Sequence, residues 1–251
     1  MKPSQRQHKI VDLVKQRGYV GTEELVATFA VTPQTIRRDL NELAERNLIL
    51  RHHGGAASPS TVENSDYHAR KHFFSAEKSR IGQKVASLIP NGASLFIDIG
   101  TTAEAVAHHL LQHQKLRIVT NNLNAAHILM QNSSFDITIA SGSLRTDGGI
   151  IGEATVAFLS QFRLDFGVLG ISAIDQDGTL LDYDYHEVQV KRAILDNSRS
   201  VLLVTDHSKF ARRATVKLGA ITDAEYVITD AAPTATIQQM LNERNVKLLV
   251  C

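Results

Sequence analysis

Apolar residues recur at helical spacing through the first 45 positions of the chain. Ile10, Leu13 and Val14 share one face of a segment from Gln5 to Arg17, which Gly18 ends. Thr22 is placed to cap a second, short helix, with Glu23 and Glu24 in its first turn and Leu25, Val26 and Phe29 as core candidates. Ala30 and Val31 make a tight connection to a third helix, where Thr32 is the expected cap and Pro33 suits the first position. Ile36, Leu40 and Leu43 fall on its inner face, Gln34, Arg38 and Asn41 on the opposite one, and Arg37 at the edge. Residues 47–57 (NLILRHHGGAA) then read as an apolar strand, a cationic, histidine-rich tip and a glycine pair that permits a turn. Periodicity fades over 58–74, where Ser, Asn and charges dominate, and this stretch is expected to be a linker with Tyr67 solvated in it.

From Ser75 the pattern becomes an alternation of helices and short apolar strands. Strands are expected at Ser94–Ile99, Leu116–Thr120, Asp136–Ala140, Phe166–Ile171, Val201–Thr205, Tyr226–Thr229 and Val246–Val250. Helices fill 76–89, 102–111, 124–130, 154–161, 186–197 and 237–245. Such alternation implies an α/β domain: a largely parallel sheet with helices on both faces and ligands beyond the carboxyl ends of its strands. The chain therefore reads as a small helical domain over 1–57, a linker over 58–74 and an α/β domain over 75–251.

Composition sharpens this only when the chain is divided. The whole of it carries +1 at pH 7, but residues 1–58 hold 9 Lys+Arg against 6 Asp+Glu, and the remainder 18 against 20. The basic excess sits where a helix-turn-helix is expected, at about 20–39, followed by a basic hairpin: a winged helix for double-stranded DNA. The expected DNA contacts are Thr32, Gln34, Thr35, Arg37, Arg38 and Asn41 on the helix and Arg51, His52 and His53 on the wing. Arginine can pair with guanine there, and glutamine or asparagine with adenine. Cys251 is the only cysteine, so no disulfide forms within a chain. The polar start and the lack of a long apolar run lead us to expect a soluble, cytoplasmic protein with no membrane partner.

In the α/β domain the candidate chemistry lies at strand ends. Asp98-Ile99-Gly100-Thr101-Thr102 runs from a strand into a helix, and fits a single phosphate as well as it fits a plain turn and cap. Dinucleotide and P-loop fingerprints are missing, and no cofactor is expected. Glu187 and Lys191, spaced i, i+4, read first as a helix-surface ion pair; the aspartate- and tyrosine-rich loop over 182–185 just before them raises a pocket role as the alternative. His109 and His113 share a helix face without a third metal ligand of suitable spacing, and are expected to face solvent.

Several motifs together resemble one family. VTPQTIRRDLNEL (31–43) and RHHGGA are similar to the DeoR-type winged helix; FIDIGTT (96–102), VTNN (119–122), GGIIGEAT (148–155), FRLDFGVLGIS (162–172), HEVQVKRAI (186–194) and TDHSKF (205–210) are similar to its effector domain. The resemblance covers essentially the whole chain. It implies an effector-binding and oligomerisation domain with a fold like the ribose-5-phosphate isomerase and CoA-transferase group. It also implies a repressor released by sn-glycerol 3-phosphate, acting as a homo-oligomer, a tetramer. Carried onto matching positions, Asp98, Gly100, Thr101 and Thr102 would hold the phosphate, and Thr120, Asn121, Gly142, Lys191, Asp206 and Lys209 would line the pocket. A family member answering to another sugar phosphate is the alternative, and a sugar-phosphate isomerase fused to a DNA-binding domain the more distant one.

Overall fold

The computed structural model describes residues 3–17, 19–46, 48–52, 54–57 and 67–251, which divide into two units, Met1–Phe74 and Ser75–Cys251. The first unit consists of α1 (Pro3–Arg17), β1 (Tyr19–Gly21), α2 (Thr22–Phe29), α3 (Pro33–Glu45), β2 (Leu50–His52), β3 (Gly55–Ala57) and α4 (Tyr67–His72). The expected stripe on α3 is buried: Ile36, Leu40 and Leu43 join Ile10, Val14, Leu25 and Ile49 in one core. Burying each such side chain is worth about 1.5–3 kcal/mol. The outer face of α3 carries a solvent-screened ion pair, Arg38 to Glu42 at 3.0 Å, worth little beside that burial. Packing, not surface charge, thus holds the helix in place.

The helix ends follow local chemistry. Thr32 Oγ1 accepts a hydrogen bond from the Thr35 amide at 3.3 Å, and Pro33 opens α3. Thr22 is not the cap of α2: Gly21 holds that position, and Thr22 is the first helical residue, its amide donating to Gly54 O at 2.7 Å. That bond ties the helix start to the hairpin. Strand β1, which sequence pattern did not show, pairs with β3, so the wing is a three-stranded antiparallel sheet in the order β1-β3-β2. The segment expected to be a plain linker contains α4; residues 58–66 lie outside the described residues.

Ala30 closes α2 with φ 49, in the left-handed region that costs an L-residue about 1–2 kcal/mol. Ala30→Gly is therefore expected to stabilise the N-terminal unit by about 1 kcal/mol. Chemical denaturation followed on that unit's transition checks this; an unchanged midpoint would contradict it.

The second unit begins with α5 (Ser75–Ala86), β4 (Ser94–Ile97), α6 (Thr101–Leu110), β5 (Arg117–Thr120), α7 (Leu123–Leu129) and β6 (Asp136–Ile139). It continues through β7 (Ser143–Leu144), β8 (Ile150–Ile151), α8 (Glu153–Leu159), β9 (Leu164–Gly170), β10 (Ala173–Ile174), β11 (Thr179–Asp182) and α9 (Tyr185–Asp196). It ends with β12 (Ser198–Val204), β13 (Val216–Ala220), β14 (Tyr226–Thr229), α10 (Ala235–Glu243) and β15 (Lys247–Val250). Seven strands form one parallel sheet in the order β15-β14-β12-β9-β4-β5-β6.

Strand alternation sends side chains to two cores. Phe96, Val119, Leu169, Leu203 and Val227 face one, closed by Val188, Val190 and Ile194 of α9 and Ile237 and Leu241 of α10. Leu95, Ile97, Ile118, Val168, Leu202, Val204 and Ile228 face the other, closed by Ile81 and Val85 of α5 and Val106 and Leu110 of α6. Both faces being covered is why these strands read as near-continuous apolar runs. The expected α/β architecture is observed, with all seven of its strands. The short antiparallel pieces β7-β8 and β10-β11-β13 are additions.

Candidate nucleic-acid interface and effector site

On α3, Gln34, Arg37, Arg38 and Asn41 are all exposed, while Thr32 and Thr35 hydrogen-bond at the helix start, their hydroxyls 2.9 Å apart. Arg51 of β2 reaches across to α3 and donates to Asn41 Oδ1. A groove of about 850 Å³ lies between the starts of α2 and α3 and the hairpin, lined by Thr22, Glu23, Val26, Pro33, Arg37 and Arg51 among others. Two arginines thus flank a concave face beside the exposed polar side of α3, an arrangement suited to phosphates and base edges. His53 lies outside the described residues, and of His52 only the backbone in β2 is described.

Behind this face, Asp39 is buried on α3 and accepts two hydrogen bonds from Arg6 of α1, at 2.5 and 3.1 Å. The pair fixes the angle between the two helices, and the Asp39 hydrogen bond holds the Arg6 pKa above its ordinary value. Sequence pattern gave no sign of it beyond one charged residue falling in register with Ile36 and Leu43.

In the second unit, Lys191 is the centre of a buried charge cluster. Its ammonium lies 2.5 Å from Asp98 Oδ2, 3.1 Å from Glu187 and 3.7 Å from Asp182, and donates to Gly170 O at 3.1 Å. The Glu187–Lys191 pair is therefore not on the helix surface as its spacing suggested: side-chain exposure is 9% and 2%. The reason is the orientation of α9, whose inward face carries both residues together with Val188, Val190 and Ile194. Arg145, from the β7-β8 hairpin, extends the cluster, bonding Glu187 at 2.8 Å, Asp184 at 3.3 Å and Asp147 at 2.6 Å.

Charge is shared unequally. Burial works against the Lys191 ammonium, but Asp98, Glu187 and Asp182 outweigh it and raise its pKa. Burial also opposes ionisation of Glu187, but Lys191 and Arg145 prevail and lower its pKa. Two cations serve Glu187; Asp98 and Asp182 share what remains. Burial accordingly raises Asp98, and burial with the neighbouring Glu187 pushes Asp182 up to about 6.

The other expected pocket residues occupy the carboxyl ends of the strands. Gly100 caps α6 with φ 124, and a Cβ there would meet nothing within 4 Å, so open space adjoins the loop. Thr101 and Thr102, half-buried, begin that helix. Thr120 Oγ1 donates to Ile97 O at 2.6 Å, and Asn121 Nδ2 donates to Ile150 O at 3.2 Å, so both residues tie strand ends together. Gly142 has φ 144, and a Cβ would lie 2.0 Å from Thr155 Oγ1; close packing, not ligand contact, explains its glycine. Asp206 accepts from the Ser208 amide at 3.0 Å at the end of β12. Burial opposes its ionisation, but Lys209, Ser208 and the buried Lys78 outweigh it and lower its pKa. Asp98 and Lys191 are thus in direct contact, and Thr120 and Asn121 stand beside them. Gly142 belongs to the hairpin, and Asp206 with Lys209 to a separate strand end.

His113 does not simply face solvent: its Nε2 lies 2.8 Å from Ile89 O and 3.1 Å from Ala86 O, at the end of α5. His109 lies 3.0 Å from Ser79 Oγ. Among the described residues no group of three His, Cys, Asp or Glu is arranged to hold a metal, and no helix is long and apolar enough to cross a membrane.

Two family models match, a DeoR-like helix-turn-helix domain over residues 6–62 and a DeoR C-terminal sensor domain over residues 74–231. The chain belongs to the DeoR family. Among its DeoR relatives, the glycerol-3-phosphate regulon repressor of Haemophilus influenzae is 68% identical over 100% of this chain and 98% of that protein. The glycerol-3-phosphate regulon repressor of Escherichia coli K12 is 62% identical over 100% of both. Among solved structures, ribose 5-phosphate isomerase A from Neisseria gonorrhoeae is a distant likeness: 12% identity, TM-score 0.40, over 54% of this chain and 53% of that one.

For a DeoR chain, the side chains that sequence reasoning missed are as telling as those it found. Lys78 falls in helical register with the buried Ile81 and Val85, a signal that could have flagged it. Asp182 and Asp184 sit in the acidic loop just before Glu187. Arg145 had no signal: it lies in a polar hairpin whose strands are two residues long.

Proposed function

We propose that this protein represses glycerol and glycerol 3-phosphate utilisation genes and leaves its operator when sn-glycerol 3-phosphate binds. The observation that carries this reading is the 62–68% identity, along the whole chain, to two proteins named glycerol-3-phosphate regulon repressor. The exposed Gln34, Arg37, Arg38 and Asn41 on α3, with Arg51 beside them, supply the DNA contacts. The Gly100-Thr101-Thr102 turn at the start of α6 supplies the anion site: open space adjoins its glycine, and a helix start favours negative charge. The protein acts without a cofactor or catalysis, in the cytoplasm, as a homo-oligomer on repeated half-sites, and a tetramer is the expected assembly. Release requires that the effector bind the DNA-incompetent state more tightly than the other.

Fluorescence anisotropy on a promoter fragment from a glycerol-utilisation gene tests the reading. Binding should be tight, fall with salt, and be reversed by glycerol 3-phosphate but not by fructose 6-phosphate. Arg38→Ala should weaken operator binding by about tenfold or more and relax base preference. Thr101→Val should retain operator binding and lose release. A Thr101→Val protein that remained fully inducible would remove the anion site, and release by another sugar phosphate alone would remove the effector.

A further inference from the structure

Two buried oxygens beside the anion turn accept no hydrogen bond among the described residues: Asp98 Oδ1 and Asn121 Oδ1. Their residues are 0% and 1% exposed. A buried acceptor left unmatched costs about 1–3 kcal/mol, so a pair of them at one place points to a missing donor. Strand register puts them together. Ile97 pairs with Thr120 at the end of the β4-β5 ladder, so Asp98 and Asn121 stand side by side one residue beyond it. The neighbours of each group are otherwise known: Asp98 Oδ2 accepts from Lys191 and the carboxylate also lies against the Ile99 amide, while one N–H of Asn121 Nδ2 donates to Ile150 O. What remains is two acceptors, with the second N–H of the Asn121 amide as the one donor of these two side chains not bonded to Ile150, two residues before Gly100 and at the end of the adjoining strand.

This chemistry separates two halves of a ligand. A phosphate cannot face the Asp98 carboxylate, which is itself an acceptor and is kept ionised against its burial by the Lys191 ammonium at 2.5 Å; it belongs on the amides that open α6, beyond Gly100. Hydroxyl groups can face it. We infer that Asp98 Oδ1 and Asn121 Oδ1 are the polyol-reading pair of the site, each accepting a hydrogen bond from one of two neighbouring hydroxyls of a phosphorylated polyol. Asp98 is thereby assigned to the hydroxyls instead of the phosphate. The inference rests on the function proposed above, and adds to it the expectation that an alcohol is preferred to a ketone. Glycerol 3-phosphate brings two donors. Dihydroxyacetone phosphate brings a carbonyl oxygen in place of one of them, an acceptor set against an acceptor, and propyl phosphate brings neither.

Isothermal titration of the full chain with these three compounds is the test. The unaltered protein should bind glycerol 3-phosphate about tenfold or more tightly than either of the others. Asp98→Asn sharpens it. Lys191 donates to whatever stands at Oδ2, so it retains the amide oxygen there and turns the amide NH₂ to the Oδ1 position, replacing an acceptor by a donor. That variant should lose glycerol 3-phosphate affinity, gain affinity for dihydroxyacetone phosphate, and so shift the ratio between them toward the ketone. Equal binding of glycerol 3-phosphate and propyl phosphate by the unaltered protein would overturn the assignment while leaving the effector reading intact, and this comparison needs no variant to fold. An Asp98→Asn ratio unchanged from the unaltered protein would also overturn it. No binding of any of the three, with operator binding insensitive to them, would remove both the assignment and the effector reading.

Discussion

Lys191→Met should destabilise the C-terminal unit by about 3–5 kcal/mol, the cost of removing one partner from a buried ion pair. Methionine nearly matches the lysine stem in volume, so the loss would come from charge. Asp98 and Asp182, 0% and 1% exposed, would be left without their ammonium, and Gly170 O would lose its donor. Glu187 would keep Arg145 at 2.8 Å, which limits the damage to the other two carboxylates. Guanidinium denaturation of the full chain, followed by a probe in the α/β unit, checks this. A loss below about 1 kcal/mol would mean that the cluster is hydrated and that Lys191 is not its keystone. Because unpaired carboxylates can be protonated, the defect should shrink as pH is lowered toward 4.

Asp182→Asn is expected to do the opposite at neutral pH. The carboxyl is raised from its ordinary 3.8 to about 6, chiefly by burial and by Glu187. A raised carboxyl pKa means that the folded state binds the proton more tightly than the unfolded chain does. The resulting stability is fully present below pH 3.8 and is lost as pH rises through 6. At pH 7.5 the ionised Asp182 therefore costs stability relative to its protonated form. Asparagine mimics the protonated acid and retains the oxygen that accepts from the Tyr183 amide at 2.8 Å. The variant should be the more stable protein at pH 7.5, by up to about 3 kcal/mol, with the advantage gone near pH 4. Denaturation midpoints of both proteins at those two pH values decide it. Equal stability at pH 7.5 would show that Lys191 fully compensates Asp182.

Legibility in the sequence followed the size of the signal. Thr32-Pro33 and the Ile36, Leu40, Leu43 stripe placed α3 and its exposed face because local chemistry and burial agree there. The seven strands of the parallel sheet were legible for the same reason: two covered faces demand unbroken apolar runs. The two-residue strands β7, β8 and β10 carry too few residues for any period to show. The charged cluster was half legible. Asp98 and Lys191 lie at recognisable positions, but their contact spans 93 residues, and spacing alone suggested only the local pair of Lys191 with Glu187. Burial inverted the reading of that pair. Nothing in a linear pattern tells a lysine aimed at a sheet from one aimed at water, except the apolar residues it shares a face with. Val188, Val190 and Ile194 were that clue.

The centre of the parallel sheet also has a kinetic meaning. Strand β4 has β5 on one side, 23 residues on, but its other neighbour is β9, with Leu95 set against Phe166. Parallel neighbours this distant close slowly, because the intervening chain loses its freedom before the contact repays it. A chain growing from its N-terminus can complete the winged unit from residues close in sequence, while β4 waits with one flank open. Asp98 waits longer, since its ammonium arrives only with α9. During synthesis, then, the half that holds DNA matures ahead of the half that answers to the effector, and chains cut short before Lys191 should be the ones that aggregate.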